Sequence, residues 1–210
     1  MAACAHCAAP LETPLVCGAC GRLNRIETDP SPFEVLGVPV SQALDVPDLR
    51  RRLLRFTRLA HPDYFATGPA AERERAERAT ALLNHAFETL SDEIARADFL
   101  VRHLGGPDEN EERQMPRDFL AEVLEWNEVF EEARSDPRAA STARLAELEA
   151  DLSSRREQAL RKLAELLDPL PDRGDDALRR ARRALNALRY VDRALAEIGD
   201  LRLARAEARG

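Results

Sequence analysis

Two groups of residues in this chain combine types and spacings that could do chemistry. The first is Cys4, Cys7, Cys17 and Cys20, two C-x-x-C pairs separated by residues 8–16. Thiolates paired in this way satisfy the tetrahedral preference of zinc, and a site closed by four sulfurs keeps no position for a substrate or water, so the ion would be structural. One zinc ion is the expectation, with iron in the same sulfur set or redox-active thiols as the alternatives. Gly18 and Gly21 would permit tight turns beside the second pair, and His6, inside the first, reads as a bystander rather than a further ligand. Four cysteines gathered within residues 1–20 point to metal in a reducing compartment rather than to disulfides.

The second group is His61, Pro62 and Asp63, preceded by Arg51, Arg55 and Arg58. Spacings of four and three place these guanidiniums on one helical face, with Arg52 beside them, opposite an apolar stripe. A positive ridge on an acidic chain is a target for an acidic partner surface, and the bland alternative is a solvated helix face. Histidine can also act as a general acid or base. No nucleophile or paired carboxylate has an evident relation to His61, so no residue is assigned a catalytic role.

Helices must position both groups. Asp29–Pro32 starts a short helix carrying Phe33 and Leu36, and after a turn at Gly37–Pro39, Asp45 is placed to cap a helix with Leu49, Leu53, Phe56 and Ala60 on one face. Pro62 stops it, because proline disfavours helical geometry at the residue before it. A loop through Gly68 leads to a third helix with Ala76, Ala79, Leu83, Phe87 and Leu90. Ser91 then caps a fourth with Ile94, Ala97, Val101 and Leu104, closed by Gly105, Gly106 and Pro107. Residues 105–115, charged and turn-rich, read as a linker. Beyond them, helical stretches at 116–134, 138–167 and 174–205 should close as an antiparallel three-helix bundle.

In the first of these stretches Phe119, Val123, Trp126 and Phe130 suffice as a core stripe. Leu120 and Leu124 lie just beside it, next to a line of Glu125, Glu128 and Glu132. By periodicity the two leucines are either the edge of a wide apolar face or an exposed partner site rimmed by charge. In the last stretch Leu185, Leu188, Val191, Leu195 and Ile198 form the buried row, which turns Tyr190 away from it.

Composition agrees with an all-α protein of two small helical units. The 210 residues are 44% hydrophobic and 33% charged, with few glycines and aromatics, the make-up of amphipathic helices. A net charge of −7 argues against whole-molecule attraction to nucleic acid or an anionic membrane. No apolar run approaches a bilayer span and the N-terminus carries no signal or transit pattern, so a cytoplasmic protein is expected. The cysteine segment is too short for an apolar core, and its scarcity of basic residues counts against a nucleic-acid-binding ribbon.

His61-Pro62-Asp63 between two helices, behind a basic helix face, resembles the J-domain family. The resemblance narrows to the HscB branch through P-F-E-V-L-G at 32–37, H-P-D-Y-F at 61–65, L-N-H-A-F-E-T-L at 83–90, A-R-A-D-F-L at 95–100 and F-L-A-E-V-L-E-W-N-E at 119–128. It implies a tetracysteine module at 1–24, similar to one found in the eukaryotic-type branch, a J-domain at 30–106 and a C-terminal helical bundle at 115–205. The implied function is that of a co-chaperone for iron-sulfur cluster assembly, not an enzyme itself. His61, Pro62, Asp63, Arg51, Arg52, Arg55 and Arg58 would activate a DnaK/HscA-class ATPase. Leu120, Ala121, Leu124, Glu125 and Glu128, with Tyr190 in A-L-R-Y-V-D at 187–192, would bind an IscU-type scaffold. Two positions depart from the family pattern: Tyr64 stands where a basic residue is common, and Ala121 where a bulkier apolar one is. A J-protein for another client, or a zinc-ribbon regulatory or nucleic-acid-binding protein with dimerising helices, are the alternatives. Self-association is left open.

Overall fold

The computed structural model describes all residues except 1, 27, 113–116, 136–138 and 208–210. Among the described residues there are seven α-helices and no strand, and the chain divides into two compact units, Met1–Phe99 and Leu100–Gly210. No helix is long and apolar enough to cross a membrane.

The first unit holds the cysteine segment and the helices that frame the tripeptide. Helix α1 (Pro32–Leu36) is short but closed at both ends. Ser31 accepts from the Glu34 N–H while the Glu34 carboxylate accepts from the Ser31 N–H, and Gly37 takes a left-handed φ of 64° to end the turn. Helix α2 (Val46–Ala60) and helix α3 (Ala70–Ser91) pack against each other, and both contact α1. Phe33, Leu49, Phe56, Ala76, Ala79, Leu83 and Leu90 are buried. Ala86 takes a buried position on α3 and Phe87 is half-buried, because two residues one step apart cannot share the centre of a helical stripe. Asp45 occupies the cap position of α2 without a capping hydrogen bond; its carboxylate lies 3.7 Å from Arg51 instead.

Helix α4 (Glu93–His103) is capped by Asp92, one residue later than expected. The Asp92 carboxylate accepts from the N–H groups of Ile94 and Ala95 at 2.9 and 2.7 Å, while Ser91 closes α3. The boundary between the two units falls inside α4.

The second unit is built on α5 (Arg117–Ser135), α6 (Ala139–Leu167) and α7 (Asp176–Glu207). Trp126, Phe130, Leu145, Leu152, Val191 and Ile198 form its core, with Phe119 and Val123 packed against it. Burying two aromatics and their aliphatic neighbours supplies several kilocalories of apolar transfer, which a bundle of this size needs. Part of the expected linker is docked structure: Arg182, fully buried, donates to the Pro107 carbonyl at 2.9 Å, and Asn186 donates to the Glu112 carbonyl at 2.6 Å. The buried Glu112 carboxylate lies 3.4 Å from Arg179 and 3.3 Å from Arg183.

Candidate functional site

The tripeptide forms a rigid polar corner. His61 ends α2 with an extended ψ of 127°, and Pro62 opens a 3-10 turn, Pro62–Phe65, where a simple loop was expected. Proline pre-sets the first position of that turn, and the His61 Nδ1 accepts from the Asp63 N–H at 3.3 Å, capping it. The Asp63 carboxylate lies 3.5 Å from the same Nδ1, and the side chains are 47% and 88% exposed. A histidine that turns its Nδ1 inward keeps Nε2 for a partner, and an outward carboxylate keeps its acceptors free. Tyr64 is exposed and sits edge-on to His61, with ring centroids 6.2 Å apart.

The four arginines singled out on α2 fall into two environments. Arg51, Arg55 and Arg58 are exposed. Arg52 is turned inward: it donates to the Gly37 carbonyl at 2.8 Å and to Asp48 at 2.7 Å, bracing the α1–α2 turn. The Arg52 hydrogen bond, reinforced by Arg51, lowers the Asp48 pKa. Helical spacing placed Arg52 beside the ridge, but the nearby carbonyls and carboxylate decide where its fork points.

The cysteine segment consists of two matching knuckles. Cys4 accepts at its carbonyl from the Ala8 N–H, and Cys17 from the Gly21 N–H, each at 2.9 Å. Gly21 takes a φ of 69°, and Ala8 takes 59° at the equivalent place in the first knuckle, so the first turn is made without glycine. Isolated antiparallel bridges, Ala3 to Pro10 and Val16 to Leu23, close the base of each knuckle. Cys4 and Cys20 sulfurs are 3.8 Å apart, Cys7 and Cys17 sulfurs 3.7 Å, and all four lie within 4.8 Å of one another. A tetrahedron with zinc-sulfur bonds of about 2.3 Å has edges of about 3.8 Å, and a disulfide would bring sulfurs to about 2 Å. The cysteines therefore fit one four-coordinate ion and are not bonded to each other. The His6 N–H, followed by that of Cys7, favours the Cys4 thiolate and lowers its pKa to about 6. At Cys7 the Ala9 N–H also favours the thiolate, but burial and the adjoining sulfurs prevail and push the thiol up to about 12. One cation would relieve that mutual repulsion. His6 stands aside, 3.4 Å from Arg22.

Leu15 and Val16 are fully buried and Leu23 nearly so, although this segment holds too few apolar residues for a core of its own. Glu12, between the knuckles, pairs with Arg55 at 2.5 Å. The cysteine segment is thus docked within the first unit rather than tethered beside it.

On the second unit, Leu120, Leu124 and Tyr190 are 44%, 66% and 39% exposed. Ala121, Glu125 and Glu128 are exposed along the same helix. Phe119 links the apolar members: its ring meets Tyr190 edge-on at 5.8 Å and Trp126 at 5.7 Å. Tyr190 and α5 therefore form one surface, braced from below by the buried tryptophan.

Comparison with known proteins places this architecture. Residues 115–199 match the family model described as the HSCB C-terminal oligomerisation domain. The chain is 36% identical over 118 residues to the co-chaperone protein HscB homolog of Bordetella pertussis, covering 56% of this chain and 69% of that protein. It is 35% identical over 127 residues to the homolog of Bordetella petrii, covering 60% and 72%. The chain belongs to the HscB co-chaperone family. Its fold resembles that of human co-chaperone protein HscB, with a TM-score of 0.74 at 23% identity over 94% of this chain and 97% of that one. It also resembles chaperone HscB from Vibrio cholerae, with a TM-score of 0.66 at 24% identity over 82% and 98%. Within this HscB-type chain, sequence reasoning missed Glu12 as a partner of Arg55, for which no local pattern exists. It also missed Arg182 and Asn186, polar residues four apart that interrupt the apolar row of α7 and could have been noticed as such.

Proposed function

We propose that this chain is an adaptor that activates a DnaK/HscA-class ATPase and presents to it an IscU-type scaffold during iron-sulfur cluster assembly. The division of labour follows the chain: a tetracysteine module at 1–24 held by structural zinc, a J-domain at 30–106 that meets the ATPase, and a bundle at 115–205 that carries the scaffold. The observation that supports the reading most directly is the corner at residues 61–63, two exposed polar side chains fixed by a 3-10 turn between packed helices. Such a corner offers donors and acceptors whose ordering has already been accomplished by folding, so little conformational entropy is lost on docking. Arg51, Arg55 and Arg58 would steer an acidic surface toward it, while Arg52 would act by holding the turn. Joining both partners through one chain raises their mutual effective concentration, which is how a protein without catalytic groups accelerates a handover between them. The reading locates the protein in the cytoplasm, with its partners.

The test is a steady-state ATPase assay of the cognate chaperone with this protein or its His61→Gln variant, with and without scaffold. Wild type should stimulate hydrolysis and add to the stimulation by scaffold; the variant should do neither while melting at the wild-type temperature, because the side chain is exposed. Equal stimulation by both proteins rejects the proposal. Stimulation that depends on His61 but ignores the scaffold rejects the scaffold half and points to another client.

A further inference from the structure

The docked cysteine segment reshapes the basic face of α2. Arg55, in the middle of the ridge, is held by Glu12, and the Glu12 carbonyl lies so close over Gly37 that any side chain there would collide with it. Arg52 holds the Gly37 carbonyl from the helix side. Between the knuckles and α2 this leaves an open groove of about 750 Å³. Ala9, Gly18 and Ala19 border it on the cysteine side, and Arg51, Leu54 and Arg58 on the helix side. Leu54 is exposed, although it adjoins the ridge.

We propose that the cysteine unit is a second wall of the ATPase-facing site, and that the groove takes an acidic chain segment bearing an apolar side chain. This rests on the J-domain reading above and extends it to a surface that α2 does not provide alone. Three arginines line the groove against one carboxylate, Glu12, so its balance is positive and its occupant acidic. Arg58 has no side-chain partner among the described residues, and Arg51 shares its charge with Asp45 and Asp48 at the rim. Glu12 on Arg55 is an internal example of the contact that an incoming carboxylate would make. The occupant also needs apolar substance, because Leu54 on one side and the alanines of the knuckles on the other offer nothing polar. A polyphosphate backbone fits poorly: the cysteine wall presents no cation to the groove and Glu12 would repel it. The wall keeps its place because both knuckles converge on one sulfur cluster, which fixes the loop carrying Glu12 between them.

The test measures binding of the purified partner ATPase to the full chain by calorimetry. Four variants are compared with wild type: Ala19→Glu on the cysteine wall, Leu54→Asp on the helix wall, Glu12→Gln and His61→Gln. Bound metal and melting temperature are recorded for each. Ala19→Glu and Leu54→Asp should each weaken binding about tenfold, the size of one unfavourable buried contact. Glu12→Gln, which releases Arg55 to the partner, should strengthen it about twofold to fivefold. Wild-type affinity for Leu54→Asp, or for an Ala19→Glu protein that retains its metal, overturns the groove; if His61→Gln still abolishes ATPase stimulation, the proposed function survives that result. Normal stimulation by His61→Gln removes the proposed function itself. Tight, salt-sensitive capture of a single-stranded oligonucleotide by the wild-type groove, lost in Ala19→Glu, would also overturn the proposal.

Discussion

Replacing Leu120 and Leu124 together by alanine should separate the proposed scaffold binding from folding. Leu124 is 66% exposed and Leu120 44%. Full burial of a leucine is worth about 1.5–3 kcal/mol, so covering these fractions is worth about 1–2 kcal/mol for Leu124 and about 0.7–1.3 kcal/mol for Leu120. Alanine keeps one of the four side-chain carbons, which reduces the combined loss to about 1.3–2.5 kcal/mol, roughly a 10- to 60-fold rise in Kd. Neither leucine belongs to the core built on Trp126 and Phe130, and alanine is an excellent helix former, so stability should change by less than about 0.5 kcal/mol. The assay is calorimetric titration of an IscU-type scaffold into wild type and the double variant, with circular dichroism melts of both. A Kd within twofold of wild type, with melts superimposed, would refute the reasoning, since it would mean that the most exposed apolar surface of α5 is left uncovered in the complex.

Four further outcomes follow from the packing. Trp126→Ala should cost about 3–5 kcal/mol by denaturant unfolding, and it should also weaken scaffold binding, because Phe119 loses the ring that braces it under Tyr190. Gly106→Ala should cost about 1–3 kcal/mol, since the new Cβ would lie 2.8 Å from both the Leu178 Cβ and the Val101 Cγ1; a thermal melt reads this directly. Glu112→Ala removes the buried carboxylate between Arg179 and Arg183 and should cost about 1–2 kcal/mol, with faster hydrogen exchange at residues 107–112. Cys17→Ser should reduce bound metal, expected to be zinc and measured by elemental analysis, from about one equivalent to a small fraction, because three thiolates no longer close the tetrahedron.

Much of the fold was legible because its determinants are local. Pro62 ends a helix whatever surrounds it, and Gly37 and Gly105 mark ends where a left-handed turn is required. Apolar periodicity identified the faces of α2, α3 and α7 for the same reason. Where the structure departs from local pattern, the causes are physical as well. Ser91 and Asp92 are both good capping residues, and only the backbone turn between α3 and α4 shows which one is extended. Arg52 shares the ridge's periodicity, but its bonding is set by carbonyls fifteen and sixteen residues away. Glu12 and Arg55 are separated by 43 positions, a pairing that no window along the chain contains. Leu15 and Val16 did carry a signal, two adjacent large apolar residues in a segment otherwise made of turns. Their burial implies a surface beyond the segment itself, so the cysteine knuckles could have been expected to dock.

The two exposed faces are opposite in charge, and that difference does more than attract. The exposed charges of the α2 ridge are Arg51, Arg55 and Arg58; along α5 the leucines are rimmed by Glu125 and Glu128. A partner acidic enough to suit the first face is repelled by the second, so each surface rejects the other's ligand without additional contacts. Both faces lie on helices already fixed by buried cores, Phe56 and Leu49 under one and Trp126 under the other, so neither has to order itself on binding. Stability and the proposed recognition therefore occupy different sides of the same helices. That separation allows an exposed leucine or histidine here to be a binding residue without being a folding one, and it makes the proposed activities independently removable by substitution.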